Sequence, residues 1–157
     1  MSTGRAVHAL PLLLVGALAA CSAVAASPEP PSFDTISTDG ARDLPPSGPF
    51  VDGRPGESGG IILDPISTSI EPAIAYRFSL GHCGLFSPID VDGSFWDPVE
   101  GRTATGARLD LDGDPEMIKA TAGFFVVIGD EARFRTETGT VLELRRHDGQ
   151  KEFPGCD

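Results

Sequence analysis

The chain has 157 residues and a formal net charge of −11, from 23 acidic against 12 basic side chains. That length suits one modest domain. The acidity argues against a nucleic-acid surface, which needs clustered Lys and Arg for phosphates, and against electrostatic docking on anionic lipid. It agrees with solubility outside the cell.

Residues 1–20 hold one basic residue, Arg5, and then an apolar run from Ala9 to Ala20 broken only by Pro11 and Gly16. A short apolar run with small residues ahead of a cleavage point is the pattern of a secretory signal. It is shorter than the roughly 20 apolar residues of a membrane span. The run ends in Leu18-Ala19-Ala20-Cys21, which resembles the lipobox of bacterial lipoproteins. The resemblance implies cleavage before Cys21 and acylation of that residue, which would fix the protein to the extracytoplasmic face of a membrane. Two or more acyl chains anchor stably, whereas one is marginal. Ala23-Val24-Ala25 offers an alternative cut, which would give a plain secreted protein; an uncleaved anchor is the third reading. Loss of residues 1–20 removes Arg5 and no acid, leaving a mature charge of −12.

With Cys21 assigned to lipid, Cys83 and Cys156 remain, and outside the cytoplasm such a pair is expected to form a disulfide. In the loop-entropy description a bridge over so long a loop stabilises by about 4 kcal/mol, less any native strain. No Cys-x-x-Cys pair supports a redox site or a zinc ribbon.

From residue 21 to 60 the chain is rich in Pro, Gly, Ser and Asp. Ser27–Ser32 and Leu44–Pro49 suit neither helix nor sheet interior, and such a segment buries too little to offset its ordering entropy. The expectation is a lipidated, disordered tether over 21–60, with Phe33, Phe50 and Val51 docking locally, followed by one domain over 61–157.

Within 61–157 the apolar pattern has period two. Ala73–Leu80 puts Ile74, Tyr76, Phe78 and Leu80 on one face. Pro88–Val91 and Ser94–Asp97 flank Asp92-Gly93, the signature of a two-residue hairpin. Ala107–Leu111 alternates again. Phe124–Ile128 is uniformly apolar, as a central strand buried on both faces would be. Gly129-Asp130 leads into alternating residues 132–136, and Thr138-Gly139 into Val141–Arg145. Asp114-Pro115 could open a helical turn, but Gly123 and the β-branched residues favour a strand entering Phe124. The predicted fold is mainly β, a small antiparallel barrel or sandwich of about six to eight strands behind a flexible linker.

Few residues invite chemistry. Gly56-Glu57-Ser58-Gly59-Gly60 matches G-x-S-x-G and superficially resembles the Gly-Asp-Ser-Gly-Gly of trypsin-like proteases. It lacks the strand–turn–helix context of a nucleophile elbow, and the only upstream histidine is His8, so a glycine-rich linker is the expectation. Asp110, Asp112 and Asp114 alternate like the start of a calcium loop. Pro115, however, stands where an EF-hand needs Gly, and Thr121 where it needs Glu, so a solvated turn competes with a calcium site. Asp90, Asp92 and Asp97 could add ligands if the fold brought them near.

Residues 81–98 concentrate specialised side chains and resemble a segment of uncharacterised bacterial extracytoplasmic proteins, a likeness that implies no activity. Within them His82 adjoins Cys83, and a disulfide at Cys83 would end any Cys–His chemistry. His82, Trp96 and Asp97 form a candidate binding face if Trp96 is exposed, and core or rim otherwise; Ser87 could join His82 and Asp97 in a polar site. His147 reads as a solvated strand end. The leading expectation is a non-enzymatic, lipid-anchored domain that binds an envelope partner and needs no cofactor. The alternatives are a domain stabilised by Ca²⁺ and a small hydrolase-like enzyme around His82.

Overall fold

A computed structural model of the chain describes residues 31–50, 53–115 and 117–154; the leader, Cys21, Val51 and Cys156 lie outside them. The described residues contain ten short strands: β1 (Arg42–Asp43), β2 (Arg54–Pro55), β3 (Ile61–Leu63), β4 (Tyr76–Leu80), β5 (Asp90–Val91), β6 (Ser94–Arg102), β7 (Thr121–Ile128), β8 (Glu131–Thr136), β9 (Val141–His147) and β10 (Lys151–Phe153). The only helical element among them is one 3-10 turn, Phe33–Thr35.

The molecule is mainly β, as its alternating pattern predicts. A seven-stranded sheet in the order β1-β4-β7-β8-β9-β6-β5 curls into a half-barrel, and β10-β3-β2 form a small second sheet. The large sheet is antiparallel except at one edge, where β1 lies parallel to β4 through the pairs Arg42–Tyr76 and Asp43–Arg77. A parallel neighbour has to arrive by a long crossover, and the segment before β4 supplies one.

Local chemistry explains the hairpins. Asp92 and Gly93 both have positive φ, 59° and 80°, the pair of conformations that a tight two-residue turn between twisted strands requires. The register Val91–Ser94 and Asp90–Phe95 follows. β7 is third in the large sheet and is covered on both sides. Phe125 and Val127 face the main core with Trp96, Phe134, Leu142 and Leu144, while Val126, with Phe124 and Ile128, faces a smaller cluster with Ala41, Ala75, Phe33 and Ile36. Its uninterrupted apolar run is the sequence trace of that two-sided burial.

The small sheet is pinned to the large one through Phe95, which is fully buried, with its ring 4.9 Å from that of Phe153 in an edge-on contact and 6.4 Å from Phe50 in a stacked one. Burial of the Phe95 and Phe153 rings contributes about 1.5–3 kcal/mol each.

Two expectations need correction. The domain does not begin at residue 61. Phe33 and Ile36 pack on the outer face of β7, Asp34 pairs with Arg133 at 2.5 Å, and the Arg77 guanidinium donates to the Ala41 carbonyl at 2.6 Å. Residues 33–43 are therefore a strap across the sheet, and β2 also belongs to the segment read as tether. The strap itself contains no proline, and its few apolar residues and arginine pairings dock it between the flanking proline clusters. Secondly, Ala107–Leu111 is not a strand: it makes one bridge, Arg108 to Arg102, with the Leu109 N–H on the Gly101 carbonyl, next to a bulge in β6 between Pro98 and Glu100. Around Pro115–Thr121 the described residues form turns and a bend at Lys119, and the strand entering Phe124, the favoured reading of that stretch, starts at Thr121.

Candidate functional site

A broad concavity among the described residues lies beside the β6 bulge. β6 runs to Arg102, turns through Thr103–Gly106 (Gly106 N–H to Thr103 carbonyl, 2.8 Å) and returns with Thr103 N–H on the Ala107 carbonyl and Leu109 N–H on the Gly101 carbonyl, both 2.8 Å. A Cβ at Gly101 would stand 2.9 Å from the side chains of Leu109 and Leu111, so glycine allows the two segments to meet there. Towards Pro98 the bulge sets them apart. A groove of about 440 Å³ opens, walled by Val99, Glu100, Arg108, Leu109, Asp110 and Asp112. Val99 is 51% exposed on its lip. Glu100 pairs with Arg102 at 2.5 Å. The groove thus joins an aliphatic wall to three carboxylates and one arginine, which suits a cation carried on an apolar stem.

Two of the three expected calcium ligands, Asp110 and Asp112, lie in this groove. The Asp110 Oδ1 accepts the Asp112 N–H at 3.2 Å and its carbonyl accepts the Asp114 N–H at 3.0 Å, which is the self-bonded turn that Asp favours. Among the described residues no group of three His, Cys, Asp or Glu side chains is arranged to hold a metal ion. The other acidic cluster is also divided. Asp90 accepts from the backbone of Ile66 at 2.7 Å and of Ser67, Asp92 pairs with Arg146 at 2.9 Å, and Asp97 points to the opposite face of β6.

His82, Trp96 and Asp97 do not form one face. His82 is exposed in the turn after β4, and no described side chain hydrogen-bonds to it. Trp96 is 1% exposed in the main core, so the condition for a Trp96 binding surface is not met. Its indole N–H donates to the Val91 carbonyl and Asp92 Oδ1, both 3.1 Å. Successive strand residues point to opposite faces, which puts Asp97 outside. Ser87 is buried beneath Gly81. Cys83 is disulfide-bonded, and its partner lies outside the described residues; a half-cystine is no nucleophile.

Asp97 sits instead in a polar seam between the sheets, bonded to Lys151 Nζ of β10 and, at 3.0 Å, to His147 Nδ1 of β9, whose Nε2 lies 3.1 Å from the Gln150 carbonyl. Burial pushes the Asp97 carboxyl up, but hydrogen bonds and charge from Lys151, then His147, outweigh it and hold the group below the ordinary carboxylate value. This seam holds sheets together; no nucleophile joins it. Ser58 is likewise structural. The Gly56–Gly60 segment is the turn between β2 and β3, and its Ser58 and Gly60 N–H groups donate to Glu152 Oε1 at 2.9 and 3.1 Å, a small anion nest filled by the protein's own carboxylate.

Val99, Glu100 and Arg108 were not singled out from the sequence, although Pro98 inside an apolar strand is the signal of an edge or bulge. Comparison with protein-family models, curated proteins and solved structures finds no match to this chain.

Proposed function

We propose that the chain is a lipid-anchored extracytoplasmic binding protein, tethered to a bacterial membrane through Cys21 and recognising a basic segment of an envelope partner in the groove beside Val99. The observation that carries the binding reading is that groove, where an exposed aliphatic wall adjoins Glu100, Asp110 and Asp112. A Lys or Arg side chain fits this chemistry: its methylene stem covers Val99 and its charged head meets the carboxylates. The anchoring reading is supported by Leu18-Ala19-Ala20-Cys21. A Cys83–Cys156 bridge, closing the C-terminus onto the β4 end of the domain, accords with an oxidising compartment.

The test of binding is calorimetric titration with Lys- and Arg-containing peptides and their Glu-substituted counterparts. Preference for the basic peptides, lost in Asp110→Asn/Asp112→Asn and in Val99→Asp, is the expected result. Equal binding of both sets, or affinity untouched by the groove variants, rejects the reading. For the anchor, mass spectrometry of the mature N-terminus should find acylated Cys21, and Cys21→Ser should release the protein from membranes.

A calcium-stabilised domain is a second reading of Asp110, Asp112 and Asp114. Its support is their alternation with the nearby Glu100 carboxylate, against the internal bonding of Asp110. The enzyme reading around His82 has no supporting contact among the described residues.

A further inference from the structure

The strap changes how the domain sits on its anchor. A tether running to residue 60 would reach about 130 Å when fully extended, but docking starts at Phe33, and the chain from Cys21 to that residue spans at most about 40 Å in any conformation. The strap reaches the outer face of the large sheet. There Phe33 lies beneath the Arg133 guanidinium at 4.8 Å, and Arg133 is further held by Asp34 at 2.5 Å and Glu143 at 2.9 Å. The inner face is closed by other segments: Leu85 and Met117 pack in the main core, joined by a 2.8 Å bond from Leu85 N–H to the Met117 carbonyl.

The outer face also differs in charge from the acidic molecule as a whole. Its arginines stand against carboxylates: Arg77 pairs with Asp43 at 3.2 Å, and Arg145 lies opposite Asp97 and Glu131 in the ladders. Such a balanced surface meets little repulsion from anionic headgroups, whereas the carboxylate-lined groove is repelled.

We propose that the strapped outer face of β7 and β8 is the surface turned toward the lipid bilayer, held there by a leash no longer than about 40 Å. This rests on the anchoring at Cys21 proposed above. The partner is then met close to the membrane rather than at a distance from it.

The experiment uses full-length lipidated protein in phosphatidylcholine–phosphatidylglycerol vesicles, with a photo-crosslinking amino acid at Ser37 on the strap or at Ile118 on the inner side. Ser37 should yield several times more lipid adduct than Ile118. Inserting about twenty Gly and Ser residues ahead of Ser32 should lower the Ser37 yield about fivefold, because local concentration falls roughly as the −3/2 power of tether length. Equal yields at both positions, or a Ser37 yield indifferent to the insertion, overturn the proposal. Protein that fails to float with the vesicles refutes the anchor instead, a distinguishable result.

Discussion

The guanidinium carbon of Arg146 lies 4.5 Å above the ring of Trp96, and the same side chain bonds Asp92 at 2.9 Å and the Gly129 carbonyl at 3.0 Å. One arginine of β9 thereby ties the β5–β6 turn to the β7–β8 turn. Arg146→Ala should cost about 1–2 kcal/mol, from the lost cation–π contact and the uncompensated Asp92 carboxylate. Trp96→Ala should cost about 3–5 kcal/mol as a large core truncation. Urea denaturation followed by Trp fluorescence for Arg146→Ala, and by circular dichroism for both, measures these losses.

The strap should matter to stability as a tether would not. Phe33→Ser with Ile36→Ser removes two half-buried side chains from the outer face of β7, at about 2 kcal/mol together. Residues 31–157 should melt well above residues 61–157 in calorimetry. Identical melts would show that the domain stands without the strap.

Acid should loosen the seam at Asp97. The folded carboxyl is held below its ordinary value, so its contribution is fully present above the unfolded value of about 3.9 and is lost as pH falls through the folded one. Asp97 is over a third exposed, so the discounted contribution is about 0.5–1 kcal/mol. The stability gap between the native protein and Asp97→Asn should be steady near neutrality and shrink below about pH 4. A gap unchanged down to pH 2 would contradict this.

Calcium supplies the remaining test. With the Asp110 carboxylate bonded inside its own turn, millimolar Ca²⁺ after EDTA should leave the melting temperature unchanged. A ligand at a hundredfold excess over its Kd would add about 2.7 kcal/mol. A rise of several degrees, abolished by Asp112→Ala, would establish the acidic loop as a metal site.

What could be read along the chain was what neighbouring residues decide among themselves. Asp92-Gly93 and Gly129-Asp130 select tight turns through backbone preference, and alternation in β8 and β9 separates Phe134, Leu142 and Leu144 from the arginines beside them. The unbroken Phe124–Ile128 run announced a strand covered on both faces. The same reasoning failed at Ala107–Leu111, where alternation was present but the segment meets β6 through a single bridge beside Arg102.

The strap, the seam and the β2–β3 turn join residues far apart in sequence. Asp34 meets Arg133, Ser58 meets Glu152, and Asp97 meets Lys151 across separations of 99, 94 and 54 residues. Periodicity and turn chemistry act over a few residues and so fix the strands and their faces. Which charges meet, whether Trp96 is buried, and whether the stretch between two proline clusters lies against the sheet depend on long-range packing, and that is settled when the sheet curls and its faces are covered.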